Sequence, residues 1–301
     1  MAKIGIALGG GAARGLAHIG VIEKLAEAQI PVHIVSGASI GAIVGAIYAR
    51  RGRVEDVRQR VLEFIRTDIF REASLRLLSQ KDSRALGTED NGWIANITGL
   101  LRRGLLLYDG VTGRSVIGEE EFEATFRALI EDVNIESFSL PFAAVAADLV
   151  SGDEIVFTGG SVRHAVMASS AIPGVFPPVE DRGRILVDGG WIDVVPIEAC
   201  RKLGADFVIG VDIGREIEER VDFRRSINIF LRSNSITRQK LRELQAMEAD
   251  FLIRPAVGDM HWADFSNIDK VIELGAEAAS QSLKALLRAI STKKRKKWLG
   301  L

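Results

Sequence analysis

A serine flanked by two glycines lies between a strand-like and a helix-like segment. Residues 34–44 read Ile-Val-Ser-Gly-Ala-Ser-Ile-Gly-Ala-Ile-Val, an apolar run followed by small apolar residues. We expect Ser39 where the strand ends and the helix begins, because Gly37 and Gly41 permit a sharp turn. The helix dipole stabilises developing negative charge there, which is typical of an activated serine nucleophile. The alternative from the residues alone is a helix N-cap serine.

A glycine-rich loop is predicted at residues 9–15, Gly-Gly-Gly-Ala-Ala-Arg-Gly, after a first strand. It does not indicate a dinucleotide site, because Arg14 occupies the third glycine position and no acid ends the second strand. It does not indicate a P-loop, which requires Gly-Lys-Ser or Gly-Lys-Thr. We favour an oxyanion hole, whose backbone N–H groups face a carbonyl attacked by Ser39. A phosphate cradle and a plain turn stay open, and Arg14 either supports the loop or begins a helix.

Three aspartates, Asp148, Asp188 and Asp212, end apolar strand-like runs. Each could be a structural acid that caps a neighbouring loop. Only Asp188 is followed by two glycines, Gly189 and Gly190, which would let backbone and substrate approach closely. The residues alone leave the choice between a catalytic and a structural acid open.

The four histidines of the chain are His18, His33, His164 and His261. None is predicted on a loop after a late strand, where the histidine of a catalytic triad is expected in an α/β hydrolase. A carboxylate can accept the serine proton directly when burial raises its pKa. This pattern favours a Ser-Asp dyad, with His18 as a core histidine of the first helix.

The composition is that of a globular protein, with 301 residues, 47% of them hydrophobic and 26% charged. A net charge of -1 argues against nucleic-acid binding as the main role. A single cysteine, Cys200, excludes an intrachain disulfide, and we expect it to be buried and inert in a reducing compartment. No apolar run reaches about 18 residues, and the N-terminus leads straight into a strand without room for a signal peptide. We therefore expect a cytoplasmic protein.

Strand-like and helix-like segments alternate along most of the chain. This alternation predicts an α/β fold with a mainly parallel sheet. No internal repeat or clean linker is present, so we expect a single domain over residues 1–301. Its predicted parts are a core at about 4–215, a helical cap insertion at about 52–118, a C-terminal strand and helix extension at 216–290, and a basic tail at 291–301.

The chain ends in a basic cluster, Lys293–Leu301, which carries five cations before a final Trp-Leu-Gly-Leu. Such a cluster suits an anionic membrane surface, where each cation contributes about 1 kcal/mol. It would place the protein peripherally at the inner face of the membrane. The alternative is a disordered, solubilising end.

Together, the loop at 9–15, the Gly-Ala-Ser-Ile-Gly turn at 37–41 and the Asp-Gly-Gly at 188–190 resemble the patatin-like phospholipase family, specifically its small bacterial type. The segment 168–178, Ala-Ser-Ser-Ala-Ile-Pro-Gly-Val-Phe-Pro-Pro, is also similar to that family. The resemblance covers about residues 4–215. It implies a three-layer α/β/α fold and hydrolysis of lipid acyl esters.

The resemblance implies that Ser39 is the nucleophile and Asp188 the base of a Ser-Asp dyad. The N–H groups around Gly10, Gly11 and Ala12 would form the oxyanion hole. Ala12 departs from the family, which often has a third glycine there. The substrate would be a lipid or another acyl ester, without a metal or cofactor. An acyltransferase or thioesterase with the same dyad and a non-catalytic lipid- or nucleotide-binding regulator are the alternatives.

Overall fold

A computed structural model describes residues 2–70, 115–214, 223–224, 226–258 and 265–298. Most of the predicted cap insertion at about 52–118 lies outside these described residues. Its described part includes a helix at Val54–Ile65, which forms because valines and a phenylalanine recur on one buried face. The histidine at position 261 also lies outside the described residues.

Eight strands form one sheet at the centre of the described chain. They are β1 Ile4–Leu8, β2 Ile34–Ala38, β3 Phe142–Asp148, β4 Glu154–Phe157, β5 Val179–Asp181, β6 Arg184–Asp188, β7 Phe207–Val211 and β8 Phe251–Ile253. The order is β5-β6-β3-β2-β1-β7-β8, and β4 also pairs with β3. The strands β1, β2, β3 and β7 are buried along their whole length, as their short apolar runs predict for a sheet covered on both faces.

The pairing pattern is mixed. Neighbours among β8, β7, β1, β2 and β3 run parallel, whereas β4 and β6 pair antiparallel with β3, and β5 pairs antiparallel with β6. The predicted α/β fold with a mainly parallel sheet is therefore confirmed. The antiparallel direction of β6 was not part of the prediction, and it decides where Asp188 lies.

Helices cover both faces of the sheet and complete the predicted three-layer fold. The helices of the described chain are α1 Ala17–Glu27, α2 Ile40–Arg51, α3 Val54–Ile65, α4 Glu119–Leu129, α5 Val162–Ser170, α6 Ile197–Lys202, α7 Ser226–Ala246 and α8 Ile268–Trp298. The large core cluster includes residues of α1 to α5 and α8. On the other face, α6 packs with residues such as Ile34 and Val208. None of the described helices is long and apolar enough to cross a bilayer.

The C-terminal third is built into this sheet and its helical layer. The strand β8 pairs with β7, and α8 crosses α1 at close range. A Cβ atom at Gly20 would lie 1.9 Å from the carbonyl oxygen of Ile272, and one at Gly275 would lie 2.0 Å from that of Ala17. These small residues therefore let the two helix backbones touch.

The basic tail continues α8 as far as Trp298, whereas the sequence predicts the helix only to residue 290. The Nζ atom of Lys293 lies 3.0 Å from a carboxylate oxygen of Asp250, the residue before β8. That carboxylate also accepts a hydrogen bond from the N–H of Val208, near the start of β7. This end of α8 therefore lies at the edge of the sheet where the parallel strands begin.

Candidate active site

Ser39 stands at the turn between β2 and α2, as the glycine pattern predicts. Its backbone is strained, with φ 55° and ψ −126°, and its side chain is 6% exposed. The N–H of Ser39 lies 3.1 Å from the carbonyl oxygen and 3.0 Å from the hydroxyl oxygen of Ser169. These contacts from α5 hold the turn, and α2 begins at the next residue.

The turn is possible because its two flanking glycines have no side chains. A Cβ atom at Gly37 would lie 2.3 Å from the carbonyl oxygen of Gly41, which real side chains do not approach. A Cβ atom at Gly41 would lie 2.0 Å from the carbonyl oxygen of Leu8 at the end of β1. The two positions therefore let α2 start directly against the ends of β1 and β2.

The register of β3 brings Asp188 to Ser39. The strands β2 and β3 pair in parallel along one edge of β3. The last pair joins Ala38 of β2 to Val145 of β3. On that same edge, the next residue, Ala146, pairs with Asp188 of the antiparallel β6, while β4 occupies the other edge. Since β2 and β6 run in opposite directions along the same edge of β3, their carboxyl ends face each other. Their last residues pair with neighbouring residues of β3.

The Asp188 carboxylate accepts a hydrogen bond from the N–H of Gly190 at 2.7 Å, and hydrogen bonding by the nearby Ser39 side chain also favours its ionised form. Its side chain is 5% exposed. Burial raises the pKa of Asp188 to about 6, although these two hydrogen bonds and the charge of Arg238 act in the opposite direction. A Cβ atom at Gly189 would lie 2.0 Å from the carbonyl oxygen of Val145, so glycine is required where the chain passes β3.

The glycine loop lies beside Ser39, between the ends of β1, β2 and β7. A Cβ atom at Gly10 would lie 3.4 Å from that of Ser39. The N–H of Gly10 donates to the carbonyl oxygen of Val194 at 3.0 Å, so it is not a free donor in this structure, contrary to the expectation from the sequence. Within the described chain, no acceptor lies within hydrogen-bond distance of the N–H groups of Gly11 and Ala12.

The residues after Gly11 form a 3-10 turn, Ala12–Leu16, instead of an open loop. The first N–H groups of such a turn have no partner within it. Ala12 has φ 50°, a left-handed conformation that costs a non-glycine residue about 1 kcal/mol. Arg14 donates from Nε to the carbonyl oxygen of Gly11 at 3.2 Å, which is the contact expected of a residue that supports the loop.

His18 is fully buried under the loop, and its Nε2 lies 2.8 Å from the carbonyl oxygen of Gly9. Burial lowers the pKa of His18 to about 4, so the ring is neutral and Nε2 is assigned the proton that it donates. His33 accepts from the N–H of Ile4 at the far edge of the sheet, and His164 lies 3.3 Å from Asp181. None of the three described histidines contacts the Ser39–Asp188 pair.

The other two strand-end aspartates are engaged elsewhere. Asp148 accepts hydrogen bonds from Val150, Ser151 and Ile185, which close the turn after β3. Asp212 lies 3.2 Å from Nε of Arg254. Their structural interpretation fits these contacts, and Asp188 is the one of the three whose pKa the Ser39 side chain lowers.

Sequence reasoning missed Arg238, which α7 places above Asp188. Its guanidinium lies 4.9 Å from the centre of the Trp191 ring, and its charge acts on Asp188. One turn later, Arg242 lies 3.6 Å from Asp212. The only signal in the sequence was the four-residue spacing of two arginines, which is typical of any solvated helix face.

The described residues contain no cluster of three side chains that could hold a metal ion. The arrangement instead joins a strained buried serine, a carboxylate with a raised pKa and two backbone N–H groups that lack an acceptor. Such a group of residues can perform nucleophilic acyl transfer, because the carboxylate accepts a proton near its pKa and the N–H groups can receive an oxyanion.

A solved structure with a similar fold is that of VipD from Legionella pneumophila, with a TM-score of 0.54 over 94% of this chain and 67% of that chain, at 17% identity. Among curated proteins, patatin-like phospholipase domain-containing protein 6 of Mus musculus is 32% identical over 217 residues, which are 71% of this chain and 14% of that protein. Lysophospholipase nte1 of Aspergillus fumigatus is 34% identical over 212 residues, 70% of this chain and 12% of that protein.

The chain therefore spans a small part of the length of these curated relatives. The family model described as patatin-like phospholipase matches residues 6–201, which contain the glycine loop, the Ser39 turn and Asp188. The chain belongs to the patatin-like phospholipase family.

Proposed function

We propose that this chain is a serine hydrolase that cleaves carboxylic esters of lipids. The observation that carries the proposal is the proximity of the strained Ser39 to the buried carboxylate of Asp188, whose pKa the Ser39 side chain lowers. The family supports a lipid substrate, and one relative is named a lysophospholipase.

In the first half-reaction, the Ser39 oxygen attacks the ester carbonyl carbon while Asp188 takes the hydroxyl proton. The N–H groups of Gly11 and Ala12 donate to the oxyanion that forms, and the N-terminus of α2 adds its dipole. The bond to the alcohol oxygen then breaks. Asp188 returns its proton to the leaving alcohol, and the acyl group stays on Ser39.

In the second half-reaction, Asp188 accepts a proton from a water molecule that attacks the acyl–serine carbonyl. The Ser39–acyl bond breaks, the proton returns to the Ser39 oxygen and the carboxylic acid leaves. The role of Gly10 differs from the expected oxyanion donor. We propose that Gly10 leaves room for the substrate beside Ser39, since its own N–H is bonded to Val194.

The test is covalent labelling with a fluorophosphonate together with hydrolysis of p-nitrophenyl butyrate. We expect the Ser39→Ala variant to lose both the fluorophosphonate labelling and the hydrolysis of p-nitrophenyl butyrate. The matched control is Ser170→Ala, because Ser170 is also a buried serine and its hydroxyl has no hydrogen-bond partner in the described chain. Labelling of folded Ser39→Ala at the level of the control would refute the assignment.

Peripheral membrane contact through Lys293–Leu301 and a cytoplasmic location stay predictions. The bond from Lys293 to Asp250 argues against membrane contact through this segment, because it holds the segment at the end of the sheet away from Ser39. A second region of the chain has a stronger physical case for membrane contact.

A further inference from the structure

The outward face of α7 is apolar where a surface helix is usually polar. Its large exposed apolar side chains lie about two turns apart on one face, with Ser233 and Lys240 between them, and Ile229, Phe230 and Leu244 are 49%, 62% and 60% exposed. Ile236 continues the row between them, and Phe223 extends it before the helix. A helix of a globular protein normally turns such a stripe towards the core.

The opposite face of α7 lies on the active-site end of the molecule. Arg238 stacks on Trp191, which follows the Asp-Gly-Gly turn. Gln245 accepts a hydrogen bond from the N–H of Val194 at 2.9 Å and donates to the carbonyl oxygen of Ile192 at 2.8 Å. These contacts leave the apolar row directed away from the protein, next to the Ser39 site.

The apolar row lies in a strongly basic segment. Residues 223–247 contain six basic side chains and one acidic side chain, in a chain whose net charge is −1. Arg238 and Arg242 face the protein, and the exposed or half-exposed cations among the described side chains are Arg224, Arg232 and Lys240. Arg232 on α7 lies 5.9 Å from the centre of the Phe223 ring, so cationic and apolar groups are adjacent there. This combination is typical of a helix that lies in the head-group region of an anionic bilayer.

We propose that α7 is the membrane-docking element of this protein and that its partner is an anionic lipid surface. Ile229, Phe230 and Ile236 enter the boundary between head groups and acyl chains, while Arg224, Arg232 and Lys240 face lipid phosphates. The contacts of Arg238 with Trp191 then bring Asp188 and Ser39 close to the bilayer. This inference rests on the proposed function, which supplies the reason for a lipid surface at this place.

The first arm of the experiment measures co-sedimentation of the full chain with vesicles of pure phosphatidylcholine and with vesicles that contain 30% phosphatidylglycerol. We expect binding to the second kind that weakens with added salt. The double variant Ile229→Ser/Phe230→Ser should lower binding at least tenfold, because two large apolar side chains no longer enter the bilayer. The control is Leu287→Ser on α8, where the leucine is 47% exposed but lies outside α7.

The second arm separates docking from chemistry. Hydrolysis of p-nitrophenyl butyrate by the double variant should stay within about twofold of the unmodified protein, and Ser39→Ala should bind vesicles normally. If Ser39 is not catalytic, Ser39→Ala keeps its ester hydrolysis, which contradicts the proposed function, but the vesicle result is unaffected. Unchanged vesicle binding by the double variant, an equal loss in Leu287→Ser, or a dimer that dissociates in the double variant without any vesicle binding would each overturn the proposal.

Discussion

The site has a floor and a cover that are attached to the fold in different ways. The floor consists of the glycine loop, the Ser39 turn and the Asp188 turn, and at Gly37, Gly41 and Gly189 a single added methyl group would collide with the backbone. The cover is α7, which is attached through side chains such as Arg238, Arg242 and Gln245. The chemistry therefore depends on backbone packing, whereas the proposed docking depends on side chains that can be replaced singly.

The largest effect is expected from removing the base in the floor. Asp188→Asn should lower kcat for p-nitrophenyl butyrate by about a thousandfold or more, because the amide cannot accept the Ser39 proton. The matched control is Asp148→Asn, another buried strand-end acid, which contacts the turn after β3 and Ile185 in β6 but does not contact Ser39 among the described contacts. A folded Asp188→Asn enzyme with kcat similar to that of the control would contradict the dyad.

Adding a single methyl group should destabilise the protein much more in the floor than at an open surface position. Gly41→Ala should lower the free energy of unfolding by about 3 kcal/mol or more, since the added Cβ would lie 2.0 Å from the carbonyl oxygen of Leu8. Gly118→Ala, where nothing lies within 4 Å, should change it by less than about 1 kcal/mol. Urea denaturation of both variants measures the difference, and equal destabilisation would show that the floor tolerates expansion.

The glycine pattern explains why so much of the floor could be predicted. Gly37, Gly41 and Gly189 are required by backbone contacts close to them in sequence or in the strand order, and such requirements leave a local signal. Asp188 was selected among three aspartates only through the family resemblance. The reason is that its position depends on β6 running antiparallel on the edge of β3, a long-range pairing without a local sequence pattern.

The cover could not be predicted for the same physical reason. The position of Arg238 over Trp191 depends on how α7 packs, about 50 residues after the ring that it contacts. The bond from the N–H of Gly10 to the carbonyl oxygen of Val194 is likewise a long-range contact without a local sequence signal. Similarly, the end of α8 is held by Asp250, so the basic tail is part of a helix and not a separate segment.

Burial of the base should lower stability at neutral pH. The pKa of Asp188 in the folded protein, about 6, lies above its ordinary value of 3.8, so the folded state binds the proton more tightly and loses stability as the pH rises between these values. Asp188→Asn should therefore raise the free energy of unfolding by about 1–3 kcal/mol at pH 8, and the gain should vanish near pH 4. Urea denaturation at the two pH values tests this, and a constant difference between them would contradict it.

A change in the cover should affect the rate less than a change in the floor, and it should act through the charge of Arg238 on Asp188. Arg238 favours the ionised form of Asp188, so Arg238→Gln should raise the pKa of this base and shift the acid limb of the kcat/KM profile upwards by about half to one pH unit. At pH 5.5 this is a loss of about three- to tenfold, with little change at pH 8.5. Arg242→Gln, whose partner is Asp212, is the control, and a shift of equal size in both variants would argue against a specific role of Arg238.

The smallest effect is expected at the second basic region, the end of α8. Replacement of Lys294, Arg295, Lys296 and Lys297 by glutamine keeps Lys293, which is bonded to Asp250, and removes the other cations of the tail. The parallel strands of the sheet separate this end from Ser39 by roughly 16 Å, the length of a five-residue strand. The proposed docking side chains Ile229, Phe230 and Ile236 lie in the first half of α7, away from its end near Asp250, so we expect vesicle binding within about twofold of the unmodified protein. The same vesicles that contain phosphatidylglycerol serve for this measurement, with Ile229→Ser/Phe230→Ser as the reference for full loss. If the tail variant loses binding and the α7 variant keeps it, the basic tail is the membrane contact and the lipid substrate must leave the bilayer to reach Ser39.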